Sequence, residues 1–196
     1  MRHNEIRNTT AEFLKEVAKD VQIEPKLLEL TGESFKLKSA NTDDEARLDI
    51  AARNFWSNGT KAFCDIKVFN PLAQSYINQT LPAAHTSNEK AKKRKYNERI
   101  IEIEHASFSP LVFTCYGGMS KECQKFYKHL TTLIAEKRDD PYHKVCSYIR
   151  TKLSFCLAKI AVICIRGYRC QKMENQYSLE ESDIPLECER ANLLKQ

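Results

Sequence analysis

The sequence predicts an α/β fold in the order helix, three strands, helix, strand, helix, helix. Near the N-terminus and after residue 88, apolar residues recur at the spacing of one helix face. Between residues 47 and 70 they form strand-like runs separated by a polar turn of hairpin length. The 196 residues suffice for one domain with at most a tail. This order implies a sandwich whose first strands are antiparallel and whose last strand returns by a helical crossover.

The N-terminal half supplies the first helix and the three strands. Apolar side chains at helical spacing predict an amphipathic helix at residues 5–21, which should end before Pro25 because proline disfavours helical geometry in the preceding residue. Leucines at residues 27–30 predict a short strand. Residues 47–54 and 62–70 predict an antiparallel pair.

The second half supplies the crossover and the C-terminal helices. A polar, proline-containing loop at residues 71–87 leads into a strongly charged helix at residues 88–104. A buried strand at residues 110–116 is ended by two glycines. Two helices follow, at residues 120–137 and 142–165.

Charge is distributed unevenly along the chain. The net charge is +5, but residues 171–196 carry six acidic and three basic side chains, so the preceding body is basic. A basic body favours a polyanionic partner. We therefore expect a folded domain at residues 1–169 and an acidic, loosely ordered tail at residues 170–196.

The sequence carries no membrane-spanning or secretory pattern. Its longest apolar run, residues 153–165, contains Lys159 and falls short of the roughly 20 residues that span a bilayer, so it predicts a buried helix. The N-terminus lacks the apolar segment of a signal peptide. The eight cysteines include no C-x-x-C pair and no zinc-ligand spacing, which favours free thiols in a reducing, intracellular compartment.

Two carboxylates and a lysine are predicted to converge on the strand pair. Alternation places Asp65 and Lys67 on one face of their strand, and Asp49 on the preceding strand can approach Asp65 across the sheet. Carboxylates this close favour a hard cation such as Mg²⁺ between them. The competing interpretation is that Asp49 faces solvent and that Asp65 and Lys67 form a surface ion pair.

A resemblance to a known family favours the first interpretation. The spacing of Asp49 and Asp65-Ile66-Lys67 on successive strands resembles the PD-(D/E)XK nuclease superfamily. More narrowly, several segments resemble the restriction-endonuclease-like domain that follows the reverse transcriptase in certain animal retroelements. These segments are Arg2-His3-Asn4-Glu5, residues 20–25, Ala46-Arg47-Leu48-Asp49-Ile50-Ala51-Ala52, residues 63–71 and Pro110-Leu111-Val112-Phe113. The resemblance covers about residues 2–169.

The resemblance implies a fold and a set of roles. The fold would be a restriction-endonuclease-like mixed sheet with an α-β-β-β-α-β core, flanked by helices, and with two C-terminal helices. Asp49 and Asp65 match the metal-binding acids, the Ile66 carbonyl a third ligand, and Lys67 the catalytic lysine. Glu24 matches an additional acid that assists the metal site. The implied cofactor is Mg²⁺ or Mn²⁺. Leu48 stands where the motif has proline, which is not a ligand.

The charged helix at residues 88–104 is a second signal. Glu89 to Arg99 contains six basic residues in eleven, and in the resembled fold this helix borders the DNA cleft. We expect Lys92, Lys93 and Arg99 to contact phosphates, with Tyr96 closing over the site or packing in the core. A solvated helix face and a nuclear-import patch are the alternatives.

The leading functional hypothesis is a divalent-metal-dependent DNA endonuclease of retroelement origin, nuclear in location, and possibly a fragment encoded downstream of a reverse transcriptase. DNA is the expected partner, and no membrane association is expected. The alternative is an inactive remnant that binds DNA or another partner. A third hypothesis is a structural module whose basic patch serves nuclear import only. Gly117-Gly118 before a helix could cradle a phosphate, although the turn itself favours glycine.

Overall fold

The computed structural model describes residues 3–166, within which four helices and a four-stranded mixed sheet form an α/β fold. In chain order the elements are α1 (Asn4–Val17), β1 (Lys19–Ile23), β2 (Ile50–Arg53), β3 (Lys61–Phe69), α2 (Leu81–Glu102), β4 (Ser107–Thr114), α3 (Lys121–Arg138) and α4 (Tyr142–Arg166). The unit Met1–Val162 contains the sheet and the sites discussed below. Over residues 3–166, every helix is too short or too polar to cross a membrane. The expected tail at residues 170–196 and its boundary lie outside the described residues.

The sheet has the strand order β1-β2-β3-β4. β1 pairs antiparallel with β2, and β2 pairs antiparallel with β3. β4 lies parallel to β3, because α2 carries the chain back across the sheet between them. The predicted antiparallel pair, the helical crossover and the element order are therefore confirmed.

Helices cover both faces of the sheet. Alternate residues of β3 divide between the two faces, as predicted. Cys64, Ile66 and Val68 pack in one core with residues of α1, α3 and α4. Phe63 and Phe69 pack against α2 on the other face. Asp65 and Lys67 share the parity of these two phenylalanines and therefore lie on the α2 face.

The prediction for the first strand was wrong. α1 ends at Val17, and residues 19–21, which periodicity predicts as the end of the helix, belong to β1 instead. The leucines at residues 27–30 form no strand, although Lys26 makes an isolated bridge to Arg47. β1 is an edge strand and almost wholly exposed, so it carries no alternating apolar pattern that could have distinguished it from a continued helix.

The charged helix begins earlier than predicted. α2 starts at Leu81, so the second half of the predicted loop is helical. Thr80 adopts extended geometry before it, and Pro82 sits in its first turn. Proline is favoured there because the first amides of a helix have no intrahelical partner. This start signal was missed, since Pro82 was interpreted as part of the loop.

The later elements follow their predictions more closely. β4 begins at Ser107 rather than residue 110, and Pro110 is accommodated because β4 is the edge strand next to β3. α3 is capped by the Ser120 side chain, which accepts from the Cys123 amide at 3.4 Å. α4 is only half-buried, which corrects the prediction of a buried helix: Leu153 and Leu157 face the core while Phe155 is 70% exposed. Among the side chains that the structure describes, the cysteines are free thiols: Cys64, Cys115, Cys123, Cys146 and Cys156.

Arg99 fastens the long connection between β1 and β2 to α2. Its side chain is fully buried, and its guanidinium donates to the carbonyl oxygens of Leu28, Asn41 and Asp43 at 2.7, 3.2 and 2.8 Å. Nearby, Glu98 accepts from the amides of residues 36 and 37. The connection therefore depends on polar side chains of α2 rather than on helix or strand pairing.

Replacing Arg99 should destabilise the fold. An Arg99→Met variant keeps most of the side-chain volume but leaves three carbonyl groups without their donor, which we expect to cost about 2–4 kcal/mol of unfolding free energy. Urea denaturation measures this loss of unfolding free energy. Arg94→Met on the exposed side of the same helix is the matched control and should change stability by less than about 0.5 kcal/mol. Equal stabilities of the two variants would contradict this role.

Candidate active site

The candidate site lies at the N-terminal end of β2, where its pairing with β3 ends. Backbone pairing of the two strands extends to Ile50 opposite Cys64, and Asp49 lies at a bend immediately before β2. The Asp49 Oδ2 atom accepts a hydrogen bond from the Ile66 amide at 2.5 Å. A side-chain carboxylate thus takes the place of the next backbone acceptor. Leu48 and Ile50 lie in different cores, because the chain bends between them at Asp49.

Asp65 lies beside Asp49 and under α2. It is 7% exposed, and the antiparallel register places it next to Asp49 across the strand pair. Its Oδ2 atom is shielded from solvent and accepts no hydrogen bond of ordinary geometry. That oxygen instead contacts the ammonium group of Lys92, one of the basic residues of α2. The interpretation of Asp65 and Lys67 as a surface ion pair is therefore wrong.

The carboxyl group of Asp65 titrates abnormally. Burial raises its pKa from 3.8 to about 6, the Lys92 ammonium opposes that rise, and the neighbouring Asp49 carboxylate adds to it. The raised pKa means that one lysine does not fully offset the cost of keeping a second negative charge next to Asp49. A further cation at this position would lower that cost.

Two side chains from the N-terminal end of α1, His3 and Arg7, complete the surroundings. The His3 Nε2 atom lies 3.1 Å from Asp49 Oδ1 at the start of the helix. Arg7, one turn later, pairs with the carboxylate of Glu24. The Glu24 amide donates to the Asp49 carbonyl at 3.0 Å, so their backbones are neighbours. The Glu24 side chain nevertheless points to Arg7, and the structure does not bring it together with Asp49 and Asp65 in one group.

Lys67 and the Ile66 carbonyl flank the two aspartates. Lys67 is half-buried on the same face as Asp65 and makes no ion pair within residues 3–166, which leaves its ammonium group available. The Ile66 amide points to the edge that β2 has vacated, and the carbonyl of an extended residue points to the same edge as its amide. The carbonyl therefore faces the side on which Asp49 lies.

The donor set fits a hard divalent cation. Two carboxylates and a main-chain carbonyl are oxygen ligands of the kind that Mg²⁺ and Mn²⁺ take, and the Asp65 carboxylate already contacts one cationic group, the Lys92 ammonium. No group of three His, Cys, Asp or Glu side chains gathers among the side chains described, residues 3–162. The carbonyl would therefore have to serve as the third protein ligand.

The residues expected to bind DNA have other positions. Lys92 contacts Asp65, and Lys93 pairs with Glu122 at 3.2 Å. Tyr96 is buried with its ring 6.0 Å from that of Phe108, so it packs rather than closes over the site. Arg99 is fully buried and cannot reach a phosphate on the surface, which corrects its assignment. The freely exposed basic residues of α2 are Lys90, Arg94 and Lys95.

Sequence reasoning missed three residues of this site. The sequence alone identifies no partner for His3 or Arg7, and it places Lys92 at phosphates rather than at Asp65. His3 lies in the segment Arg2-His3-Asn4-Glu5 that carries part of the family resemblance, so a signal for it was present. Lys92 and Arg7 have no such signal, because their roles depend on how α2 and α1 pack on the sheet.

Comparisons with protein-family models, with curated proteins and with solved structures give no match to this chain. The residues and the geometry described above are therefore the basis for assigning its function.

The raised pKa of Asp65 predicts how stability depends on pH. The folded protein binds the Asp65 proton more tightly than the unfolded chain does. In metal-free buffer, the stability gained from this proton is complete below the unfolded-state pKa near 3.8 and is lost as pH rises through the folded-state pKa of about 6. Wild type should therefore lose unfolding free energy relative to Asp65→Asn between pH 4 and pH 7, by up to about 3 kcal/mol.

Chemical denaturation at several pH values measures this difference. Asp139→Asn, the same substitution at an exposed helix end, is the control and should follow the wild-type profile. A difference between wild type and Asp65→Asn that does not change with pH would contradict the titration of Asp65 in this range.

Proposed function

We propose that this chain is a Mg²⁺- or Mn²⁺-dependent DNA endonuclease domain of the PD-(D/E)XK superfamily, with a restriction-endonuclease-like fold and a retroelement origin. The observation that carries the proposal is the burial of Asp65 beside Asp49, with Lys67 two residues further along the same face. Buried neighbouring carboxylates are costly without a cation, and a nearby free ammonium suits phosphodiester chemistry. DNA as partner, a reverse transcriptase domain encoded upstream and a nuclear location belong to this proposal.

Each residue has a defined part in the proposed reaction. Asp49, Asp65 and the Ile66 carbonyl would hold the metal ion. When bound, that ion supplies Lewis-acid polarisation of a phosphate oxygen and lowers the pKa of water. Lys67 would orient the attacking water or stabilise the charge that develops on the phosphate. Glu24 would assist from the edge of the site after release from Arg7, to which it is now paired.

Lys92 has a specific relation to this site. Its ammonium contacts the same Asp65 oxygen that would ligate a metal ion, so metal binding would require that side chain to move. The Lys92 side chain is 23% exposed, which leaves it a route to solvent. After leaving Asp65, the Lys92 ammonium would lie at the edge of the site, where it could pair with a DNA phosphate.

A second candidate function has an observation in its favour. Lys92 and Arg7 already neutralise Asp65 and Glu24 within the protein, which is also what a remnant without metal would need. Such a protein would bind DNA or another partner without cleaving it. Metal binding and cleavage separate it from the endonuclease.

Cleavage of plasmid DNA tests the proposal. In Mg²⁺ or Mn²⁺, wild type should nick supercoiled plasmid, and Asp65→Asn and Lys67→Gln should each lower the rate by at least about 100-fold, because they remove metal ligation and charge stabilisation respectively. Asp139→Asn and Lys38→Gln are matched substitutions of exposed residues and should nick at the wild-type rate.

Circular dichroism establishes that each variant is folded. Nicking by Asp65→Asn at the wild-type rate would overturn the proposed site. Folded wild type that binds DNA but leaves the plasmid intact in both metals would support the inactive remnant instead.

A further inference from the structure

A groove of about 800 Å³ runs between the first half of α2 and the start of α3. Its lining includes Lys90 and Arg94 from α2, Lys121 from α3, and the turn residues Gly118 and Ser120. Lys90 and Arg94 each lie two residues from Lys92, about 160° around the helix, so these two cations are on the side of α2 away from Asp65. The groove is distinct from the carboxylate site.

The charges of this groove are all of one sign. Lys90, Arg94 and Lys121 are exposed and form no ion pair within residues 3–166, and no acidic side chain lines the groove. The two nearest acids along the chain are already partnered at the start of α3: Glu89 accepts from the Glu122 amide at 2.9 Å, and Glu122 pairs with Lys93. Three unpaired cations in one concave surface concentrate positive potential there.

The wall of the groove offers an unpartnered polar group. His85 lines it with only 8% of its surface exposed, and its buried Nδ1 atom has no hydrogen-bond partner within residues 3–166. Such an orphaned group in a native structure calls for an explanation, and a bound ligand is one.

Gly118, in the turn before α3, packs closely against Thr114 and His85. A Cβ atom at Gly118 would lie 2.9 Å from Thr114 Oγ1 and 3.5 Å from His85 Nε2. Because the first of these distances is too short for a side chain, the close approach of the backbone requires glycine here. The N-terminus of α3, an 18-residue helix, lies at the same end of the groove, and its Glu122 and Cys123 amides already donate to Glu89 and Ser120.

We propose that this groove binds a phosphate group of the DNA backbone, held by Lys90, Arg94 and Lys121 at the N-terminal end of α3. The inference rests on the proposed function, because it takes DNA as the polyanion. A helix is about 10–12 Å across, which corresponds to about three base-pair steps of duplex. A DNA strand that reaches the carboxylates on one side of α2 can therefore place a neighbouring phosphate in the groove on the other.

The test compares two triple variants of the full chain. One is Lys90→Gln, Arg94→Gln and Lys121→Gln, and the other is Lys15→Gln, Lys38→Gln and Arg150→Gln, three exposed basic residues outside the groove. Both remove the same net charge. Fluorescence anisotropy with a 30-base-pair duplex, in EDTA and at several salt concentrations, gives the affinity and its salt dependence.

We expect the groove variant to lose at least tenfold in affinity, and the slope of log K against log salt to fall by about 0.9 for each phosphate contact removed. The control variant should lose less than threefold. Equal losses in both variants would show diffuse attraction and overturn the proposal. The proposed function would still stand if wild type nicks plasmid, so the two failures are distinguishable.

A second arm separates DNA from a free anion. Inorganic phosphate is titrated into ¹⁵N-labelled protein while the Gly118 amide is followed by NMR. Saturable shifts of Gly118, abolished in the groove variant, together with weakened DNA binding support the proposal. The same shifts with DNA binding unchanged would assign the groove to a small anion and overturn it. Wild type that binds no DNA would overturn both this inference and the proposed function.

Discussion

The site depends on the hydrogen bond from the Ile66 amide to the Asp49 carboxylate. β2 stops pairing with β3 at Ile50. Without Asp49, the next amide of β3 that points toward β2, that of Ile66, would be buried without an acceptor. An unsatisfied buried amide costs about 1–3 kcal/mol, so the carboxylate is held where the backbone needs it. That same position puts Asp49 next to Asp65. Two negative charges are thus forced together by the way the strands separate.

The side chains that contact the two aspartates follow from that constraint. Lys92 comes from the helix above the sheet and His3 from the helix at its edge, and each contacts one of the two aspartates. The Lys92 ammonium offsets part of the negative charge of the pair, but the raised pKa of Asp65 indicates that this compensation is incomplete. α2 therefore has several roles on different sides: Lys92 faces the carboxylates, Arg99 holds the β1–β2 connection, and Lys90 and Arg94 line the groove.

The strands β2, β3 and β4 could be predicted from the sequence, but the edge strand β1 could not. β3 has nine residues with a clear alternation between two cores, and its partner on the antiparallel side is short and apolar, so both were predictable. β1 is exposed and polar, and its identity as a strand comes only from pairing with β2. Local pattern cannot reveal an element that is defined by its neighbour.

The same distinction applies to the site. Asp49, Asp65 and Lys67 were identified because strand alternation and family resemblance both pointed to them. The basic residues of α2 were treated as one surface, yet Arg99 is buried against carbonyl groups and Lys92 against a carboxylate. Which side of a charged helix faces the protein depends on the apolar residues Tyr96 and Ile100 and on the sheet they pack against. In a helix this polar, the side that faces the protein cannot be read from the helix sequence alone and depends on the elements that pack against it.

The central claim is that Asp49 and Asp65 form a divalent-cation site. Its most direct test is a crystal structure of the protein soaked with Mn²⁺, with anomalous scattering collected to locate the metal. The account predicts an anomalous peak within ligand distance of both carboxylates and the Ile66 carbonyl, with the Lys92 ammonium displaced from Asp65. A map with no peak there, and with Lys92 still in contact with Asp65 at saturating Mn²⁺, would contradict it.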